Sequence, residues 1–274
     1  MALASDAIDP VAFTLIRLGS GVAVLVPLSA LMSEPRPEDK PAGSWRSGLA
    51  LFVYAMAFSL AYVSLETGVG ALILFGSVQA TMIGAGLWQG ERPTVREWLG
   101  LLVAMAGLVY LVLPGIAAPD PSGAALMLAS GVGWGIYSLR GKGRDAPVAA
   151  TAGNFVRALP LAAPALVMAW GSLHASGRGV GLAVLSGAVM SGLGYVIWYL
   201  TLRHLTATRA AIVQLAVPVI AAVGGILVLA EEPTARLVVA SMLILGGVGG
   251  AVMARGRGAT TLVTERGNGD YPGP

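Results

Sequence analysis

Nine apolar runs, each close to the length of one bilayer crossing, leave this chain few folds to adopt. They cover roughly 11–32, 48–65, 69–89, 97–113, 121–139, 148–171, 179–202, 207–230 and 235–254. A hydrocarbon core about 30 Å thick takes about 20 helical residues. Hydrocarbon also offers the backbone no water, and a helix pairs its own N–H and C=O groups. Strands of a membrane barrel would alternate apolar with polar residues over about ten positions, and no run here does so. Only 11% of the residues are charged and 56% are hydrophobic, against about 25% charged in a soluble domain. The expectation is an all-α, polytopic transmembrane helix bundle whose first partner is the lipid bilayer.

The short connections hold most of the Pro, Asp and Arg, as in "SEPRPEDKPAGSWR" (Ser33–Arg46). Of the 17 basic residues, thirteen fall on one side of the nine crossings and only Arg178 and Arg236 on the other. Basic loops stay in the cytoplasm. That side is therefore read as cytoplasmic, with the C-terminus inside, the N-terminus outside and the chain in the cell (inner) membrane. The net charge of +3 is accounted for by this topology, and no nucleic-acid partner is expected. The polar stretch 256–274 reads as a disordered cytoplasmic tail.

The chain also repeats itself. "LWQGERPTVREWLGLLVAMAGLVYLV" (Leu87–Val112) is echoed by "VLAEEPTARLVVASMLILGGVGGAVM" (Val228–Met253). In each, an apolar run closes on Glu-x-Pro-Thr and a second run follows. "DPVAFTLIRLGSGVAVLVPL" (Asp9–Leu28) likewise parallels "APVAATAGNFVRALPLAAPAL" (Ala146–Leu166). Five crossings separate the two Glu-x-Pro-Thr motifs, and an odd number turns the second copy upside down. This is the inverted-topology repeat found in many secondary transporters. Spans one to four pair with spans six to nine, giving a first half over 1–115 and a second over 121–255. The fifth span, "GAALMLASGVGWGIYSLRGKG" (Gly123–Gly143), has no partner; its mate belongs before Asp9, where eight residues stand. Either translation begins upstream of Met1 or a helix has been lost.

These residues resemble the EamA-type branch of the drug/metabolite transporter superfamily. The resemblance rests on "GWGIYSLRGKG" opening the second half, the Pro-to-Arg stretch "DPVAFTLIR", and the paired turns "GERPTVREWLG" and "AEEPTARLVVA". It implies a ten-helix architecture of two five-helix inverted repeats, here with the first helix absent. It further implies export or exchange of small metabolites, such as amino acids, through a central cavity lined by inner helices of both halves. The fourth and ninth spans would be peripheral. The Gly-rich "GGVGGAVMARG" suits close packing of the ninth span on its own neighbours, or a homodimer contact through peripheral helices.

Ionisable groups at membrane depth are costly and are functional suspects. Arg17 and Arg157 lie within apolar runs, and either guanidinium could hold a substrate carboxylate through two parallel hydrogen bonds. Either could equally be satisfied by helix carbonyls. Asn154 shares a helix face with Arg157. Gln79 and Gln214 add neutral donors and acceptors, for substrate or for a neighbouring helix. Trp134 and Tyr137 on the fifth span, Tyr195 and Trp198 on the seventh, and Tyr54 on the second supply aromatic walls, with interfacial belt positions the alternative. Such walls with a few polar groups suit an amphipathic small molecule. Gly131, Gly133 and Gly135 permit bends or close packing, and Pro218 should kink the eighth span.

No HExxH, GxSxG or Walker A sequence is present, so neither an intramembrane enzyme nor direct ATP hydrolysis is expected. With no cysteine and two histidines, no metal or other cofactor is expected. The reading is a secondary transporter that moves a small-molecule substrate by alternating access. A non-transporting, decayed paralogue or sensor is the alternative that the unpartnered fifth span raises.

Overall fold

The computed structural model describes residues 7–32, 42–113, 119–229 and 234–253. Twelve α-helices follow one another: α1 (Pro10–Leu31), α2 (Trp45–Ala61), α3 (Thr67–Trp88), α4 (Val95–Val112), α5 (Pro121–Gly141), α6 (Pro147–Ala158), α7 (Ala163–Ala169), α8 (Gly177–Leu185), α9 (Gly194–Leu202), α10 (Ala207–Gln214), α11 (Val217–Leu229) and α12 (Ala235–Val252). The chain is a polytopic helix bundle with no strand among the described residues. Nine helical segments correspond to the nine apolar runs. Seven are long and apolar enough to cross a membrane; α2 is shorter, at 17 residues, and α5 is 21 residues long but diluted by glycine and serine. The tail 256–274 lies outside the described residues.

The repeated Glu-x-Pro-Thr has a local cause. Thr94 caps α4 in a reciprocal box: its hydroxyl accepts from the Glu97 N–H at 3.3 Å, and Glu97 Oε2 accepts from the Thr94 N–H at 2.6 Å. Thr234 caps α12 through the Leu237 N–H at 3.2 Å. Pro93, before Thr94, keeps the residue preceding it out of helix. Asp9 caps α1 in the same manner, its Oδ1 accepting from Val11 and Ala12, with Pro10 at the first helical position, where a missing N–H costs nothing.

Three spans of the second half are interrupted. The sixth passes through a 3₁₀ turn, Leu159–Ala162, between α6 and α7, with Pro160 and Pro164 removing two donors. The seventh runs α8, a π-helical segment Ser186–Leu193, then α9. The eighth breaks between α10 and α11, at the turn before Pro218, as its proline requires. Its counterpart α3 is continuous. The glycines of α5 do not bend it. A Cβ on Gly131 would collide with Ser77 and the Leu74 carbonyl, and one on Gly133 would lie 3.0 Å from the Ala50 carbonyl. They let α5 lie flush on α2 and α3.

Most of the neighbour map is symmetric under exchange of the two halves. α1 packs on α6, α3 on α10 and α4 on α12; α2 packs on α6 as α1 packs on α8 and the π segment. Exchanging α1 with α6–α7, α2 with α8–α9, α3 with α10–α11 and α4 with α12 returns each of these contacts to itself or to its counterpart, whereas α4 on α10 has no equally close counterpart between α12 and α3. The α4–α12 pair is tight because Gly100 and Gly247 face each other's carbonyls. α5 has its own place against α2 and α3; no described helix takes the equivalent place against α9 and α10.

Candidate substrate site

Arg17 sits two helical turns into α1 and is 6% exposed. Its Nε donates to Ser191 Oγ at 2.8 Å, and one terminal nitrogen donates to Tyr195 Oη at 2.7 Å and Tyr54 Oη at 3.1 Å. The other terminal nitrogen donates to nothing among the described residues and is not fully enclosed. The guanidinium carbon lies 5.2 Å from the Tyr54 ring centre and 5.9 Å from that of Phe58. No carboxylate reaches it among the described residues. A guanidinium stays charged at any accessible pH, so this cation rests on hydroxyls and aromatic faces alone.

The π segment makes the arrangement possible. A π turn spreads one extra residue into the helix and is often found at functional sites. Here it brings Ser191 and, one turn later, Tyr195 against α1. The crossing is close because Gly187 lies under the Arg17 carbonyl and Gly21 faces the Gly187 carbonyl in turn.

The rings continue from Arg17 into the second half. Tyr54 and Trp134 are 4.9 Å apart between centroids, Trp134 and Tyr195 4.7 Å, and Tyr137 and Tyr195 6.0 Å. Trp134 Nε1 donates to Gln214 Oε1. Gln214 Nε2 in turn donates to Met82 Sδ at 3.1 Å and the Ala210 carbonyl at 3.4 Å. Six of the residues singled out from the sequence therefore form one cluster: Arg17, Tyr54, Trp134, Tyr137, Tyr195 and Gln214.

The other four lie elsewhere. Arg157 is half-buried and donates to the carbonyls of Ala42, at 2.6 Å, and Gly153, at 2.8 Å. Asn154 Oδ1 accepts from the Ser44 N–H at 3.0 Å. These two side chains grip the segment entering α2, where Gly43 has φ +72° and no room for a Cβ. Trp198 Nε1 donates to Ser138 Oγ at 3.0 Å, tying α9 to α5. Gln79 Nε2 donates to the Ala211 carbonyl at 2.8 Å, while its buried Oε1 has no partner. Ser191 and Phe58 join the cluster unannounced; Ser191's only sequence signal is a hydroxyl in an apolar run.

A second polar group joins the halves at the end that the basic loops mark. Glu91, between α3 and α4, accepts from the backbone N–H of Ala207 at 2.7 Å and of Thr208 at 3.1 Å, from the Thr208 hydroxyl at 3.0 Å, and from Lys142 at 3.4 Å. Burial pushes its carboxyl up, but these donors outweigh burial and hold it below the ordinary glutamate value. Glu97 of α4 meets Arg209 of α10 at 2.6 Å. At the opposite end, Asp9 and His174 exchange two hydrogen bonds of 3.0 Å, and Ser176 holds the Ala7 carbonyl.

A helix bundle of this kind, with a polar, aromatic-walled cluster between two similar halves, defines a membrane transporter. The profile of the EamA-like transporter family matches residues 1–113 and again 121–253. The chain belongs to that family. An uncharacterised protein of Pseudomonas aeruginosa is 51% identical over 247 residues, spanning 90% of this chain and 85% of its own. A probable terminal-alkyne amino-acid exporter of Streptantibioticus cattleyicolor is 25% identical, spanning 78% of this chain and 73% of its own. A solved crystal structure superposes with a TM-score of 0.75 at 21% identity, covering 93% of both chains, which bears on the fold alone.

Proposed function

We propose that this protein exports or exchanges small amphipathic metabolites bearing a carboxylate, amino acids and similar compounds, by alternating access between two inverted halves. The observation that carries the reading is Arg17, a buried cation with an uncommitted N–H face and no acid beside it. A substrate carboxylate would complete its hydrogen bonding. Tyr54, Trp134 and Tyr195 form the apolar wall against which the rest of such a molecule would lie, and Gln214 closes the far side. The exporter named among the relatives acts on an amino acid, which agrees in substrate class. The largely symmetric neighbour map and the twofold family match support the two-half mechanism, and the sequence reading that assigns thirteen basic residues to one side supports a cytoplasmic C-terminus.

The test is counterflow of labelled amphipathic metabolites in proteoliposomes. Hydrogen bonds to a charged group contribute about 1.5–3 kcal/mol, so Arg17→Gln should weaken apparent affinity by roughly ten- to a hundredfold. The pair Trp134→Ala, Tyr195→Ala should lower the rate as well. Unchanged counterflow in both variants would defeat the assignment of this cluster as the substrate site.

A further inference from the structure

We infer that, within the carboxylate-bearing class proposed above, the site prefers net-anionic molecules such as acidic or N-acylated amino acids over zwitterionic amino acids, and that export is driven by the membrane potential. This rests on the proposed carboxylate site at Arg17 and concerns its charge balance. Among the described residues, the buried ionisable side chains besides tyrosine are Asp9, Arg17 and Glu97. Asp9 is committed at the α1 N-terminus and to the His174 N–H. Eight residues from Arg17, it is about 12 Å away along the helix axis. Glu97 is committed to Arg209 and the Thr94 N–H at the other end. Arg157 adds a second cation, itself spent on carbonyls. The groups touching the Arg17 guanidinium are the Ser191, Tyr54 and Tyr195 hydroxyls and the rings of Tyr54 and Phe58.

The cluster therefore holds one positive charge with no acid against it among the described residues, in a low-dielectric setting where such a charge is costly. A monoanion removes that cost. A zwitterion does so only in part, because its ammonium sits one carbon from its carboxylate and so lies close to the guanidinium. No acid in the cluster offsets that repulsion. Selection for a net negative substrate fixes the energetics of a cycle. Arg17 returns to its starting place in every turnover, so the net charge moved is the substrate's own. Export then carries one negative charge out of a cell that is negative inside. No proton carrier is required, in keeping with the absence of any acid beside the cluster. The potential alone would set a tenfold outward concentration ratio for about every 59 mV.

The experiment compares N-acetylphenylalanine, which carries a net charge of minus one, with phenylalanine, a zwitterion that shares its skeleton but carries no net charge. Wild-type protein is reconstituted in liposomes, and valinomycin with a potassium gradient sets the lumen positive or negative. The expected result is N-acetylphenylalanine uptake that rises several-fold with a positive lumen and falls with a negative one. Phenylalanine uptake should be slower and indifferent to the potential. Arg17→Lys should keep the preference for the anion at a reduced rate, and Arg17→Gln should lose the preference for N-acetylphenylalanine over phenylalanine. Phenylalanine moving as fast as its acetylated form, or anion uptake blind to the potential, would overturn the inference while leaving the transport reading intact. Movement of neither solute would overturn both.

Discussion

Arg17 and Arg157 look alike in the sequence, each a lone guanidinium within an apolar run, and their surroundings divide them. Arg157 spends its donors on the Ala42 and Gly153 carbonyls, which fixes the approach to α2. Arg157→Gln should lower thermal stability in detergent, by about 1–3 kcal/mol for lost bonds to a charged donor, while substrate affinity stays near wild type. Arg17→Gln should do the reverse, weakening substrate while relieving a buried charge. Thermal unfolding with and without substrate separates the two, and parallel losses in both variants would contradict the division. Local spacing could not have shown it. The partners of Arg17 are 37, 174 and 178 residues away, and Ser191 reaches it only because a π segment turns it there. What was legible was chemical type: tyrosine, tryptophan, glutamine and arginine set deep in apolar runs are expensive enough to mark a site.

The elements show a comparable mixture. Pro218 announced the break between α10 and α11, and Glu-x-Pro-Thr announced a recurring turn whose threonine proves to be the cap. The π segment had no such mark, since Ser186–Leu193 contains no proline and reads as ordinary apolar helix. The glycines of α5 were readable as bends or as packing, and only the closeness of Ser77 and Ala50 decides for packing. The clasp around Glu91 and Glu97 was not foreseen at all, because its partners come from α10 and from the turn after α5. It joins the halves at one end, so loading from that end requires it to part. Glu91→Gln should therefore speed opening there, read as faster labelling of cysteines introduced near Thr208. A carboxyl held below its ordinary value favours the clasped state above that value, and the preference is lost as pH falls through the lowered one. Opening should thus be insensitive to pH between about 5.5 and 8, with loosening only in stronger acid. Glu97→Arg or Arg209→Glu alone should also loosen this end by placing like charges together. The double exchange should restore wild-type labelling; failure to restore it would mean that the pair is not a latch.

At the scale of the molecule, the proposed mechanism depends on two halves that pack alike and insert oppositely. The helical spans were legible because hydrophobicity is a local property summed along the chain. The contact pattern was not, because helix pairing is decided by shape: Gly100 on Gly247, Gly187 on the Arg17 carbonyl, α5 flush against α2 and α3. Two halves related in this way, with a site at their seam, predict that closing one end opens the other. The chain has no cysteine, so introduced pairs can carry spin labels without background. One pair, at Arg92 and His204, spans the halves at the Glu91 end; another, at Glu66 and Ser172, spans them at the opposite end. Distances within both pairs, measured in nanodiscs with and without a transported anion, test alternating access most directly. The account predicts that substrate moves the two distances in opposite directions. Two distances that widen or narrow together, or that ignore a substrate shown to bind, would contradict it.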